Sequence, residues 1–358
     1  MCRINCLDYE IIIETGFDAL VSELARLGFA GRKICIVSDA KIADAYAKPL
    51  QDRLSGALAG SEVSLCVFPG GEESKNLAEI QAMYAFFLEK RLDRKSLVLA
   101  LGGGVTGDAA GFAAATYMRG LDFVQLPTTL LAQTDAGIGG KVAVDFQNQK
   151  NLVGAFYQPR LVYINLDTLK TLPPEHFANG MAEIIKHGLA LDAGFAEWLW
   201  ENRERVAAKD ADAIREMLRR SCAIKAGVVS RDAKEAGERE LLNFGHTFGH
   251  AVESLSGFAM YHGYCVAAGM VAAMRLSMAR GYIAEAEFER GRELIAYYGL
   301  PTGARGMAAE EVLAQMRLDK KTRDNNIRVI LLEKIGKAYV DEGVGDAEMK
   351  RAIGYILA

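Results

Sequence analysis

The chain lacks the features that mark several large protein classes. It has no surplus of basic charge: 42 lysines and arginines stand against 46 aspartates and glutamates. That argues against a nucleic-acid binder, whose footprint is a basic face. It has no long hydrophobic run. The longest apolar stretch, Tyr264–Met274, is too short to span a bilayer and reads as a buried helix, so no membrane partner is expected. The opening MCRINCLDYE holds no apolar run of signal-peptide length. The six cysteines form no C-x-x-C pair, so reduced thiols in a cytoplasmic protein are expected. Histidine is scarce, with five in the whole chain, so any cluster of histidines is informative.

What is present reads as two domains, at roughly 150 residues each. Over residues 1–172, short β-rich runs alternate with helical stretches. KICIVSDA, VSLCVFP, SLVLALGGG, DFVQLPTT and LVYINLDTL are the strands, with helices over Lys41–Leu54 and Leu77–Arg91 between them. That order predicts an α/β domain with a Rossmann-like, mostly parallel sheet. Pro173 and Pro174 mark its end. Residues 173–358 are nearly all helix-periodic as far as residue 320, closed by a β-like pair, IRVILLE and KAYVDEG. The expected fold class is therefore α/β plus α, with an all-helical second domain.

Sites in such sheets lie beyond the carboxyl ends of the strands. LVLALGGGVTGDAAGF puts Gly102, Gly104 and Gly107 at G-x-G-x-x-G spacing, after an apolar strand and at the opening of an Ala-rich helix. That context suits a pyrophosphate held by backbone N–H groups at a helix N-terminus. Two strand units precede this one, so an acidic ribose partner would come from an earlier strand end. Asp39 and Glu72 are candidates, and PGGEESK adds Lys75.

LNFGHTFGH sets His246 and His250 four residues apart, on one face of a helix. H-x-x-x-H can offer two imidazoles to a metal, although the H-E-x-x-H protease pattern is absent. His262 opens the next apolar helix. Glu183, in MAEIIKHG, lies among Met181, Ala182, Ile184 and Ile185, where a carboxylate is costly unless paired or metal-bound. Three protein ligands with an open position is the catalytic zinc pattern. Spacing alone does not choose among the histidines, and His176 and His187 also lie near Glu183 in sequence.

Basic residues fall in apolar or Gly-flanked settings. Lys141, Lys150 and Asn151 come from the loop-like GGKVAVDFQNQKN. Lys186 sits one turn from Glu183, Lys225 in CAIKAGVV, and Arg239 and Asn243 just before His246. Arg119 ends the helix after the glycine turn, and Lys320, Lys321 and Arg323 form a further cluster. Several cations without a basic excess suggest a small polyanionic substrate, such as a phosphate with a carboxylate. A dinucleotide, an open metal and an anion pocket together imply oxidation of an alcohol.

The motifs GGGVTGDAAGFAAATYMRG, QLPTTLLAQTDAGIGGK, KNLVGAFYQP, TLKTLP, MAEIIKHG and LLNFGHTFGHAVE, in that order, resemble the 3-dehydroquinate synthase family over nearly the whole chain. The resemblance implies an NAD-binding α/β domain and a helical metal domain, a Zn or Co ion, a homodimer, and a sugar-phosphate substrate. The implied reaction converts 3-deoxy-D-arabino-heptulosonate 7-phosphate to 3-dehydroquinate and phosphate. It proceeds by transient oxidation, elimination, re-reduction and aldol closure, with no net consumption of NAD. By resemblance, Glu183, His246 and His262 are the metal ligands, and His250 serves proton transfer. Lys141, Asn151, Lys186, Lys225, Arg239, Asn243, Arg119 and Lys320 would meet substrate, with Arg119 acting across a dimer interface. Asp39, Glu72, Lys75, Gly103, Gly104, Val105, Asp108, Thr128, Thr129, Asp135, Lys141, Lys150, Thr171 and Leu172 would meet NAD.

Some positions depart from the family pattern. GGKVAVD replaces GGKTGVN, bringing Val142 and Asp145, and Lys41 stands where Asn is common. HGYCV replaces HGEAV, so Tyr264 stands where a Glu is usual; if that Glu orients the His262 imidazole, its loss alters the surroundings of the metal. The competing readings are another sugar-phosphate cyclase such as 2-deoxy-scyllo-inosose synthase, a metal-dependent polyol dehydrogenase, and a non-catalytic NAD-binding protein.

Overall fold

The computed structural model of the chain describes residues 1–147, 149–257, 259–318 and 327–358. It divides into two compact units, Met1–Leu172 and Pro173–Ala358.

The first unit contains β1 (Cys2–Cys6), β2 (Tyr9–Glu14), α1 (Asp18–Arg26), β3 (Lys33–Asp39), α2 (Lys48–Ala57), β4 (Glu62–Phe68), α3 (Leu77–Glu89) and β5 (Leu97–Gly102). It continues through α4 (Gly104–Thr116), β6 (Asp122–Pro127), β7 (Lys141–Phe146), β8 (Gln149–Phe156) and β9 (Leu161–Asn165). Seven strands form one sheet in the order β1-β2-β9-β6-β5-β3-β4. Only β1 and β2 pair antiparallel within it; every other neighbour is parallel. β5 and β9 are buried along their whole length, as strands covered on both faces must be. Alternate residues serve the two faces. Cys35 and Val37 of β3 pack with Ile80, Phe87 and Ala113 of α3 and α4. Ile34 and Ile36 pack with Leu24 and Leu54 of α1 and α2. β3 has β4 on one side and β5 on the other. The chain therefore reverses direction across the sheet there, and a crevice opens beyond the carboxyl ends of β3 and β5.

The second unit contains α5 (Pro174–Leu191), α6 (Ala193–Glu201), α7 (Arg203–Ala207), α8 (Ala211–Arg231), α9 (His246–Leu255), α10 (His262–Ala279), α11 (Glu285–Tyr297) and α12 (Ala309–Leu318). β10 (Val329–Lys334), β11 (Lys337–Asp341) and α13 (Asp346–Leu357) complete it. α10 is buried on nearly every side and packs against α5, α9, α11 and α13. No described helix is long and apolar enough to cross a membrane.

The α/β plus α class holds, with local differences. GGKVAVDFQNQKN does not form a plain loop: Lys141–Phe146 and Gln149–Phe156 make an antiparallel hairpin. Its cue was the alternation of Val142 and Val144, both buried in the core beside α4, a period-two signal obscured by the flanking glycines and lysines. Val142 finds room because Gly111 of α4 has no side chain; a Cβ there would stand 2.5 Å from it. The strands β1 and β2 precede the runs read from sequence. The stretch Lys41–Leu54 is not one helix, since a wider turn at Ala43–Ala47 comes before α2. The β10–β11 pair does not end the chain either. α13 follows it, burying Met349, Ala352, Ile353 and Ile356 at helical spacing.

Candidate functional site

In the second unit, α5, α9 and α10 bring together a buried donor cluster. Gly245 precedes α9 with φ +81°, and a Cβ on it would lie 2.8 Å from the Met270 amide and 2.9 Å from the Val266 carbonyl of α10. Only glycine meets both conditions. Gly269 on α10 is as tight, with a Cβ position 2.0 Å from the Gly245 carbonyl. The two helices therefore touch backbone to backbone, and their first residues, His246 and His262, have ring centroids 5.3 Å apart. α5 is tied to the same point. The Asn179 side chain accepts a hydrogen bond from the Gly263 amide at 2.6 Å, and Glu183 is one turn further along.

Glu183 is fully buried. Its Oε2 accepts from the Lys186 ammonium. Its Oε1 has no hydrogen-bond partner and lies 3.7 Å from His246 Nε2 and 3.8 Å from His262 Nε2. Each imidazole is turned by its other nitrogen. His246 Nδ1 donates to the Phe244 carbonyl at 3.3 Å, and His262 Nδ1 donates to Glu253 Oε2 at 3.1 Å. One donor atom from each of Glu183, His246 and His262 falls within 4.8 Å of the others. Donors around a tetrahedral zinc stand about 3.3–3.5 Å apart, so the set fits a divalent cation after a small contraction. The buried carboxylate oxygen without a hydrogen bond suits such a cation. His250 is outside this trio, its ring 5.2 Å from His246 and 6.0 Å from His262. Among the described residues, neither His176 nor His187 joins a metal-ligating group. His187 is bonded to Ser221 at 2.8 Å, and the His176 ring packs at a tilt against Tyr261.

The neighbouring polar residues are mostly buried too. Lys225 is buried on α8, which packs against α5 and the turn Glu238–Asn243. Arg239 is buried and donates to the Ala233 carbonyl at 2.8 Å. Asp232 accepts from the amides of Ala236, Gly237 and Arg239. Those amide bonds, the Ala236 one foremost, hold its carboxyl below the usual range and fold the loop that presents Arg239. Asn243 donates to Glu235 at 3.0 Å, and Glu235 holds a left-handed backbone, φ +58°. Sequence reasoning missed Glu235 and Glu253. Glu253 had a cue, since it lies seven residues after His246 on the same face of α9. Tyr264, at the family's Glu position, packs edge-on against Tyr261 instead. The proposed Lys320 lies outside the described residues, as do Lys321 and Arg323.

In the first unit a second polar group gathers at the strand ends. The Thr128 amide donates to the Gly102 carbonyl at 2.9 Å. A Cβ on Gly102 would meet Thr106 Oγ1 at 2.3 Å, so the turn into α4 admits no side chain there. Asp39 Oδ2 accepts from Thr106 at 3.3 Å, across the β3–β5 crevice. Lys75 is buried and pairs with Asp108 of α4 at 2.6 Å. It also donates to the Asn151 side chain. The Asn151 amide, with φ +53°, donates to Asp145 at 2.8 Å, so this departure from the family pattern pins the hairpin. Burial opposes the charge on Lys75, yet Asp108 and Glu72 outweigh it and hold the ammonium above its ordinary pKa. Lys150 reaches Glu72 at 3.8 Å, and Thr171 bonds Tyr46 at 2.5 Å. Leu172 is buried, while Val105, Thr129 and Asp135 are half-buried and Lys141 is exposed. Gly103 caps α4, with Gly104 its first residue. Arg119 does not join this group. It is exposed at the far end of α4, about 20 Å from the glycine turn at 1.5 Å per residue. No disulfide links the cysteines, all of which are buried except the half-buried Cys2. Burial pushes the Cys66 thiol up to about 11, so it is no nucleophile at neutral pH.

Two family models match this chain in tandem: 3-dehydroquinate synthase N-terminal over residues 65–179 and 3-dehydroquinate synthase C-terminal over residues 180–322. The chain belongs to the 3-dehydroquinate synthase family. A 3-dehydroquinate synthase of Pelobacter propionicus is 44% identical over 334 residues, covering 93% of this chain and 92% of the relative. One of Azotobacter vinelandii is 45% identical over 313 residues, covering 87% and 84%. Among solved structures, 2-epi-5-epi-valiolone synthase of Streptomyces hygroscopicus, with NAD⁺ and Zn²⁺ bound, is 28% identical. It aligns with a TM-score of 0.89 over 99% of this chain and 98% of that one. A 2-deoxy-scyllo-inosose synthase holding carbaglucose-6-phosphate, NAD⁺ and Co²⁺ aligns at 0.88 and 25% identity, over 99% and 100%. Sulfoacetaldehyde reductase of Bifidobacterium kashiwanohense, at 0.72 and 14% over 100% and 99%, shares the fold.

Proposed function

We propose that this chain is a 3-dehydroquinate synthase, a carbon–oxygen lyase that releases phosphate from 3-deoxy-D-arabino-heptulosonate 7-phosphate. The observation that carries the reading is the buried Glu183 Oε1, unbonded and aimed at the Nε2 atoms of His246 and His262. Relatives at 41–45% identity bear this name. NAD belongs to the 1–172 domain and one divalent ion, Zn or Co, to the 173–358 domain. When bound, the ion supplies Lewis acidity to a substrate hydroxyl and NAD a reversible hydride acceptor.

The chain's residues then hold and orient. Glu183, His246 and His262 are the ion's ligands. Lys186 keeps the second Glu183 oxygen fixed, so that Oε1 points to one place. Lys225 and Arg239 are buried cations suited to a carboxylate, which a glucose phosphate lacks. Lys141, Asn151, Lys186, Asn243 and Lys320 complete the substrate contacts, with Arg119 reaching a second copy of the chain. His250, beside the ligand imidazoles, holds or moves a proton at its ring nitrogen. In the other domain the Gly103–Gly104–Val105 turn, Thr128 and Thr129 take the pyrophosphate. Asp39, Glu72, Lys75, Asp108, Asp135, Lys150, Thr171 and Leu172 line the remainder of the NAD site. The enzyme works as a homodimer in the cytoplasm, and light scattering should give twice the chain mass.

The test follows phosphate release and NADH absorbance together. The chain is supplied with heptulosonate 7-phosphate, NAD⁺ and Zn²⁺, with and without chelator. Metal-dependent phosphate with 3-dehydroquinate and no net NADH is expected. The fold-level likeness to 2-deoxy-scyllo-inosose synthase makes glucose 6-phosphate the second substrate to try. Turnover of it instead would replace the reading, and NADH accumulating on a polyol would point to a dehydrogenase.

A further inference from the structure

The two imidazoles that face Glu183 are anchored by unlike partners. His246 leans on a neutral backbone carbonyl, that of Phe244. His262 leans on a carboxylate, that of Glu253. We infer that Glu253 is a positioning residue for the metal, setting the tautomer and raising the donor strength of His262.

The inference rests on reading Glu183, His246 and His262 as metal ligands. Glu253 is 5% exposed, and a carboxylate that deep needs a polar partner. His262 Nδ1 at 3.1 Å supplies one. With its proton on Nδ1, the ring presents a lone pair at Nε2, the atom 3.8 Å from Glu183 Oε1. A carboxylate behind a ligating imidazole makes it a stronger donor than a carbonyl does. α9 thus supplies one ligand directly, His246, and steadies the other through Glu253 seven residues on. The Tyr264 ring, set edge-on against Tyr261, does not perform this task. His250, Glu253 and His262 also offer donor atoms within 4.8 Å of one another, so a separate ion bound there is the rival account.

The test titrates the metal-depleted full chain with Zn²⁺ against a competing chelator and records the visible spectrum of the Co²⁺ form. Glu253→Gln, Glu253→Ala and Glu183→Ala are compared with the parent. Glu253→Ala is expected to weaken Zn²⁺ binding about 10–100-fold, the usual cost of losing an outer partner. Glu253→Gln keeps the shape and an acceptor oxygen without the charge, so a loss of about threefold to tenfold is expected, with a shifted Co²⁺ spectrum. Affinity within about twofold of the parent in Glu253→Gln, with the Co²⁺ spectrum unmoved and Glu183→Ala unable to bind, overturns the role of Glu253 alone. Two ions per chain, one of them lost in the Glu253 variants, also overturns it, because Glu253 would then be a ligand. Full affinity in Glu183→Ala overturns the ligand assignment beneath it.

Discussion

Each unit buries a lysine–carboxylate pair, and the two are built for different ends. In the first unit Lys75 pairs with Asp108 and also bonds Asn151, tying α4 to the β7–β8 hairpin. In the second, Lys186 pairs with one oxygen of Glu183 and leaves the other without a hydrogen bond, facing two imidazole nitrogens. Burying an ion pair costs desolvation that only full satisfaction offsets. A carboxylate half satisfied at zero exposure is therefore unfavourable as it stands, and a divalent cation removes the deficit. The contrast shows that burial of charge alone does not mark a candidate metal site, whereas an unmet acceptor among convergent imidazoles does.

The largest effect should come from the incomplete pair. Glu183→Ala or His246→Ala is expected to lower kcat/KM on the order of 10³-fold, since Lewis-acid stabilisation is worth several kcal/mol at about 1.4 kcal/mol per decade. Phosphate-release kinetics check it, and a loss below about tenfold would return the cluster to a structural role. Stability should then separate the two lysines. Lys75→Met strands the Asp108 charge and should cost about 3–5 kcal/mol, whatever metal is present. Lys186→Met should cost about as much without metal but far less with Zn²⁺, which compensates Glu183. Denaturant melts of both variants with and without Zn²⁺ measure this, and equal rescue of both would erase the contrast. A smaller effect comes from the metal itself. At a hundredfold excess over its Kd it should stabilise the parent chain by about 2.7 kcal/mol and leave Glu183→Ala unmoved, as thermal scans with added metal compared against chelator-treated samples will measure.

The same contrast bears on what the sequence could disclose. The glycine turn was legible because a strand, G-x-G-x-x-G and a helix are contiguous. Glu183 was legible because a carboxylate amid Met181, Ile184 and Ile185 breaks a helical pattern. What joins Glu183 to His262 was not, since the Asn179–Gly263 hydrogen bond spans 84 residues and no periodicity records it. Spacing placed His246 and His250 on one face of α9, but the rings are turned by Phe244 and by Glu253, which was missed, and those contacts are tertiary. The hairpin stayed hidden because β8 is mostly exposed, so only β7 carried an alternating pattern.

A surface pair sets the lower end of the comparison. Glu216 of α8 accepts from Arg219 at 2.6 Å and from Arg220 at 2.6 Å, one turn away. Those bonds, Arg219's first, draw its carboxyl down to about 2. A folded-state pKa below the unfolded value contributes stability that is present above the unfolded pKa and fades as pH falls through the folded one. The pair's contribution should therefore be whole above about pH 4.5 and vanish by about pH 2. Its size should stay within about 0.2–1 kcal/mol, because water and salt screen a partly exposed pair. Glu216→Gln compared with the parent in denaturant melts across that window measures it. The two curves should differ slightly at pH 7 and converge toward pH 2, and salt should narrow the gap at pH 7. A gap as large as that of Lys75→Met would mean that burial is not what separates a structural pair from a decorative one.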